Sequence, residues 1–266
     1  MERILPVAII TGSTGHIGRE VVKKLSQEGF SCICLGSKPT PKVDLPLQFQ
    51  TGTQRHQYMS LDMSQALTSE VTKLQIPGIS YEEGVTRQSP LSLFQYLFWN
   101  SELGQYKLQL LVNIAGVSQN RLSVKMAPEE IAKMVNINML NPMILSQVVT
   151  KQMYRESHRG VERNHRPCIV NISSILSEVD IRATSIYSAT KAGLTRYSQL
   201  FGNELSPYAH WPRIKALQPG PVIDSGMVQE LSAASKELLI QQGKTSQSLT
   251  TTQEVALNVW QAYLSD

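Results

Sequence analysis

Cysteine is scarce in this chain, with three in 266 residues. Cys32 and Cys34 lie two apart in one apolar run, on the same face of a strand, and Cys168 opens another run. An odd count at these positions does not suit a disulfide framework, and no His–Cys spacing suits zinc or any other metal; the thiols read as reduced core residues. Long hydrophobic runs are missing too. None reaches the ~18 residues that a membrane-spanning helix needs. A large excess of one charge is also absent: 25 Lys and Arg stand against 21 Asp and Glu, a net charge of +4. That is too slight to indicate a nucleic-acid partner without a concentrated patch. With 17% charged and 41% apolar residues, the chain can build a core and is not disordered. Only Arg3 is basic ahead of a short first apolar segment, so neither a secretory leader nor a transit peptide is expected. The expectation is one soluble, intracellular domain over residues 1–266.

What is present is a rhythm. Strand-like apolar runs at residues 7–10, 31–35, 58–61, 108–112, 168–172 and 214–217 alternate with helix-length segments. The first helix reads from 19 to 28, with Val21, Val22 and Leu25 apolar and Gly29 ending it. The runs are continuously apolar rather than alternating, which predicts α/β architecture: a doubly wound parallel sheet with helices on both faces. Thr251 and Glu254 form a capping box for a last helix whose Val255, Val259 and Ala262 share a face. Residues 76–102, with Pro77, Gly78, Gly84, Pro90 and an aromatic cluster around Trp99, read as an insertion.

Thr11-Gly12-Ser13-Thr14-Gly15-His16-Ile17-Gly18 follows the first strand and opens the first helix. A helix N-terminus offers unpaired N–H groups and a positive dipole end to a pyrophosphate, and glycines permit the close approach. A plain strand-to-helix turn is the alternative. Asp62-Met63 after the third strand, and Asn113, Ala115 and Gly116 after the fourth, lie where open α/β sheets bind ligands. Each alone also suits a turn. Tyr187 and Lys191, four residues apart, share a helix face. A neighbouring ammonium lowers a phenol's pKa toward working pH, so that it can protonate a carbonyl oxygen. Ser174 stands thirteen residues before Tyr187, and Pro219-Gly220-Pro221-Val222 follows the sixth strand.

Together these motifs resemble the short-chain dehydrogenase/reductase superfamily, in its single-domain Rossmann branch, over about residues 5–227. The resemblance implies Tyr187 as general acid, Lys191 as its pKa depressor and ribose ligand, Ser174 as hydrogen-bond donor to the carbonyl, and Asn138 as fourth member. It also implies cofactor contacts from Gly12, Ser13, Gly15, His16, Ile17, Gly18, Ser37, Lys38, Asp62, Met63, Asn113, Ala115, Gly116, Tyr187, Lys191, Pro219, Gly220 and Val222. Pro142 has no N–H to give the Asn138 carbonyl, which predicts a kink where a water bridges that carbonyl to Lys191. The alternative is a Pro-kinked packing helix with Asn138 solvated.

Residues 113–126, with 5–11, 31–37 and 169–176, resemble the 3-oxoacyl-[acyl-carrier-protein] reductases, most of all the yeast mitochondrial form. That implies NADPH-dependent reduction of a 3-oxoacyl thioester in mitochondrial type II fatty acid synthesis by a homo-oligomer; without the resemblance the location would be cytoplasmic. The second strand ends Gly36-Ser37-Lys38, with no carboxylate for a ribose 2′-hydroxyl, which favours NADPH. Lys151, Arg155, Arg159, Arg163 and Arg166 face only Glu156 and Glu162 in residues 151–166. They make either a docking patch for an acidic acyl carrier protein or a solvated basic loop. Two departures stand out. His16 occupies the usual middle glycine's place, where it either crowds the pyrophosphate or reaches a phosphate. Ser225-Gly226-Met227 is one residue out of register in the expected substrate lid, residues 224–250. The rival readings are a reductase of acyl-CoA, steroid or small ketone, and a non-catalytic scaffold whose cofactor site His16 spoils.

Overall fold

Six strands pair side by side, all parallel, in the order β3-β2-β1-β4-β5-β6. They are β1 Leu5–Thr11, β2 Ser31–Gly36, β3 Gln57–Ser60, β4 Tyr106–Asn113, β5 Cys168–Ile172 and β6 Arg213–Leu217. The computed structural model describes residues 5–38, 54, 56–67, 106–157, 165–229, 237, 241 and 249–265. The predicted insertion at 76–102, Arg159, Arg163 and most of the 224–250 segment lie outside these.

Both faces of the sheet are covered, which is why its strands read as unbroken apolar runs. Every residue of β2 and β5 is buried. Val7, Ile9, Ile33 and Leu35 pack on one side with Leu145, Val149 and Met153 of helix α3, Asn141–Ser157. Ala8, Ile10, Cys32 and Cys34 pack on the other with Val21, Val22 and Leu25 of α1, His16–Gln27, and Val259 of α6, Thr252–Leu264. The pairing of β1 with β4 steps from Val7↔Leu108 to Ala8↔Leu110, so Gln109 is an extra residue in a bulge. The step lets Leu108 and Leu111 face the same layer.

The helix ends follow local chemistry. Helix α1 begins at His16, earlier than the apolar pattern shows, because its first turn faces the cleft instead of the core. It closes with Gly29 at φ +88°, where the Phe30 N–H reaches the Leu25 carbonyl and the Gly29 N–H that of Ser26. The capping box of α6 forms as expected: Thr251 Oγ1 accepts the Glu254 N–H and Glu254 Oε2 accepts that of Thr251. Helix α2, Pro128–Val135, runs into α3 through a π turn, Asn136–Leu140, just ahead of Pro142. The expected kink takes this form, an interruption of the i→i−4 ladder without a full break.

The cysteines are free and buried. Burial pushes the Cys34 thiol up to about 12 and that of Cys168 to about 11, so both stay protonated and inert. Among the described residues no helix is long and apolar enough to cross a membrane, and no cluster could hold a metal ion.

Candidate active site

The strand order reverses between β1 and β4, and a cleft of about 1610 Å³ opens there along the carboxyl ends of the strands. One wall is the glycine loop. Gly12 has φ +66°, and a Cβ on it would stand 2.9 Å from the Ala115 backbone. A Cβ on Gly18 would meet the Gly12 carbonyl at 2.1 Å. Nothing larger fits at these two places. The loop thus lies flat against β4 and leaves the start of α1 bare: Gly15 caps it with no side-chain hydrogen bond, and no acid stands in its first turn. A bare N-terminus on a glycine cradle is a site for a pyrophosphate, so the chain fits a dinucleotide. Thr11 locks the geometry from behind, its Oγ1 accepting the N–H groups of Ile114 and Ala115 at 3.0 and 3.1 Å.

His16 is exposed at the cleft's rim, and its imidazole stands beside the start of the short helix α5, Gly226–Gln229. A Cβ on Gly226 would stand 3.0 Å from its Nδ1 and Cε1. Beside it, burial pushes the Asp224 carboxyl up, but hydrogen bonds from the Thr252 hydroxyl and N–H outweigh this, and His16 adds to their pull. The carboxyl ends below its usual range. Both ends of residues 224–250 are thereby tied together, by Asp224 to Thr252 and by a bridge from Val222 to Thr250.

The opposite wall carries the acid–base groups. Ser174 leaves β5 as cap of a 3-10 turn, Ile175–Ser177, with its Oγ accepting the Leu176 N–H at 3.2 Å. Tyr187 and Lys191 sit in the first turns of α4, Ser185–Leu205, and all three line the cleft. Ser173 fastens the helix to β5 by donating to the Lys191 carbonyl at 2.9 Å. Lys191 is 4% exposed, its Nζ donates to the Ile172 carbonyl at 2.8 Å, and it stands 5.8 Å from the Tyr187 ring centroid. Burial brings its ammonium down to about 8. Gly116 lies beside both Lys191 and Asn138: a Cβ there would stand 3.7 Å from Nζ and 3.5 Å from Asn138 Oδ1.

Several expectations need correction. Tyr187 does not have a lowered pKa. Burial raises it, and a hydrogen bond with the Ser174 hydroxyl draws it back only part way. Asn138 is not solvated but fully buried, behind the cleft wall. Ser13 and Asn113 are also behind the wall. The Ser13 hydroxyl donates to the Leu35 carbonyl at 3.1 Å, and Asn113 Nδ2 donates to Asn171 Oδ1 at 2.8 Å, tying β4 to β5. Gly12, Gly15, His16, Ile17, Gly18, Ser37, Lys38, Asp62, Met63, Ala115, Gly116, Pro219, Gly220 and Val222 do line it.

The described residues of the basic stretch, 151–157 and 165–166, lie elsewhere. Glu156, near the end of α3, accepts the Leu108 N–H near the start of β4, at the amino end of the strands, away from the cleft. Arg166 is committed there, donating to the Trp211 and Tyr208 carbonyls at 2.6 and 2.8 Å. Lys151 and Arg155 are exposed at that same end. The described part of the stretch therefore does not border the site.

Gln119, in the loop after β4, is a site residue that the sequence reading did not single out. It lines the cleft, is 6% exposed, and its Oε1 accepts the N–H groups of Ile186 and Tyr187 at 2.9 and 3.2 Å. No local pattern announces a cap that comes from 67 residues away.

A family profile described as short chain dehydrogenase matches residues 100–236. The chain belongs to that family. It is accordingly an oxidoreductase. L-xylulose reductase of Aspergillus niger is 26% identical over 222 residues, covering 81% of this chain and 67% of that protein. The 3-oxoacyl-[acyl-carrier-protein] reductase of Aquifex aeolicus is 24% identical over 232 residues, 87% of this chain and 79% of that one. The chain spans only 64% to 67% of the length of two of the curated relatives it matches. Among solved structures, a metagenomic short-chain oxidoreductase in complex with NADP shares the fold with a TM-score of 0.68 at 17% identity, covering 100% of this chain and 93% of the other.

Proposed function

We propose that this short-chain dehydrogenase reduces a 3-oxoacyl thioester, borne by an acyl carrier protein, with NADPH. The observation that carries the reading is the convergence of Ser174, Tyr187 and Lys191 on one wall of a cleft whose other wall is the bare, glycine-cradled start of α1. A nicotinamide dinucleotide, which the glycine loop and the start of α1 would hold, would supply hydride chemistry here. The Tyr187 phenol, kept protonated by burial at neutral pH, gives its proton to the carbonyl oxygen. The Ser174 hydroxyl donates a hydrogen bond to the same oxygen, and the Lys191 ammonium favours the phenolate that remains. Asn138 reaches the site through its backbone carbonyl, which relays protons to Lys191 by way of water.

Three features support the finer parts. Ser37 and Lys38 are exposed on the cleft at the end of β2, a hydroxyl and a cation suited to a 2′-phosphate. Val117, Leu176, Val179, Ile181 and Val228 give the substrate side an apolar lining for an acyl chain. Lys133 and Arg182, exposed at the rim, supply positive charge for an acidic carrier, which the described residues of 151–166 do not supply at this edge. The reading extends to a homo-oligomer in mitochondrial fatty acid synthesis, and the resemblance of residues 5–11, 31–37 and 169–176 is its support.

The test is NADPH consumption with a 3-oxoacyl carrier thioester, the matching acyl-CoA, a diketone and a ketose. The highest kcat/KM falls to the carrier thioester. A preference for ketose or diketone makes the protein a small-carbonyl reductase instead. A chain that binds neither NADPH nor NADH is the scaffold whose cofactor site His16 spoils.

A further inference from the structure

We propose that Gln119 is the positioning residue for Tyr187, holding the first turn of α4 through the loop at the cleft's mouth. The proposal rests on the reading of Tyr187 as the acid. A helix leaves its first N–H groups without intrahelical partners, and a side chain at the N-cap usually takes one. Thr184, the N-cap here, does not: its hydroxyl donates to the Ile181 carbonyl at 2.7 Å. Ala183 just before it has φ +66°, a conformation unfavourable for a residue with a side chain, so the turn needs support from outside.

Gln119 supplies that support. Its Oε1 takes the N–H of Ile186 and that of Tyr187 itself, the two donors the cap leaves open. Its Nε2 donates to the Arg121 carbonyl at 2.8 Å and to Ser123 Oγ at 3.1 Å, so the amide is fully engaged. The orientation follows from the partners, since backbone N–H groups require an oxygen and a carbonyl requires a donor. Ser123 also hydrogen-bonds Ser185, the first residue of α4. The loop bearing Gln119 and the turn bearing Tyr187 are thereby one body, and the phenol's place in the cleft follows the loop's.

The test compares wild type with Gln119→Met, which keeps the length but neither acceptor nor donor, and with Gln119→Glu. The glutamate keeps the acceptor at a helix N-terminus that favours an anion, but sets its second oxygen against the Arg121 carbonyl, so it restores the cap only in part. Measured with NADPH and a 3-oxoacyl thioester, Gln119→Met is expected to lower kcat about 10- to 100-fold, as displacement of a reacting group does. KM and the fluorescence-measured NADPH Kd stay near wild type, and Gln119→Glu recovers part of kcat. Amide exchange of Ile186 and Tyr187 speeds up in Gln119→Met, whatever the substrate. An unchanged kcat, or unchanged exchange, in Gln119→Met overturns the proposal. So does a loss of NADPH binding that Gln119→Glu fails to restore, which assigns Gln119 to general folding. Tyr187→Phe, run in parallel, separates the two levels: if it is active, the reading of the acid fails, and not the geometry of Gln119.

Discussion

Asn138 holds Val117 by both ends of its amide: Oδ1 accepts the Val117 N–H at 2.9 Å, and Nδ2 donates to the Val117 carbonyl at 2.9 Å. This pair of hydrogen bonds across 21 residues fastens the loop after β4 to the π turn, and a third contact, 3.3 Å to Thr190 Oγ1, reaches α4. The side chain is spent on structure. Any proton relay at this residue therefore belongs to its backbone carbonyl.

Asn138→Ala leaves the Val117 N–H and carbonyl without their partner in a half-buried place and empties a buried polar site. Thermal unfolding should show a loss of about 2–3 kcal/mol, the cost of stranding buried polar groups. Activity should fall together with Tm, because the Val117 loop and Thr190, the neighbour of Lys191, lose their common support.

The Lys191 ammonium, brought down to about 8 by burial, makes a signed prediction. Between about 8 and the ordinary value of 10.5 the unfolded chain holds a proton that the folded chain has released. The stability of wild type should therefore rise with pH through this window relative to Lys191→Met. Denaturant titrations at several pH values check this; a difference that stays flat or falls contradicts it.

Lys38→Asp places a carboxylate where the cleft now has a cation. The NADPH Kd should rise about 10- to 100-fold, the worth of a charge-assisted contact, while NADH binding improves. Fluorescence titration with the two nucleotides reads both changes.

Gly18→Ala drives a methyl group into the Gly12 carbonyl, where the gap is 2.1 Å and the obstacle is backbone. It should destabilise the protein at the upper end of about 1–3 kcal/mol and abolish nucleotide binding. Gly15→Ala meets the same carbonyl at 3.3 Å and should cost much less.

Sequence pattern carried far in some places and stopped short in others, for physical reasons. The strands showed because both faces of the sheet are buried, and the α6 cap showed because Thr251 and Glu254 are three residues apart. Tyr187 and Lys191 showed by helical spacing. Gln119 did not, since its partners are 67 and 68 residues away. Arg166 looked like free charge and is a clasp on carbonyls brought near only by folding. The phenol's pKa was misjudged because helix spacing reports the neighbouring cation, whereas burial, a tertiary property, dominates. Sequence leaves His16 either crowding a pyrophosphate or reaching a phosphate, and only the fold shows how close it comes to Gly226.

The measurement closest to the central claim pairs NADPH titration with turnover for wild type and Tyr187→Phe. Tyr187→Phe should bind NADPH as wild type does and lose about 10²- to 10⁴-fold in rate, the usual worth of a positioned general acid. A Tyr187→Phe protein that turns over at near wild-type rate would contradict the account, because the proton would then come from elsewhere.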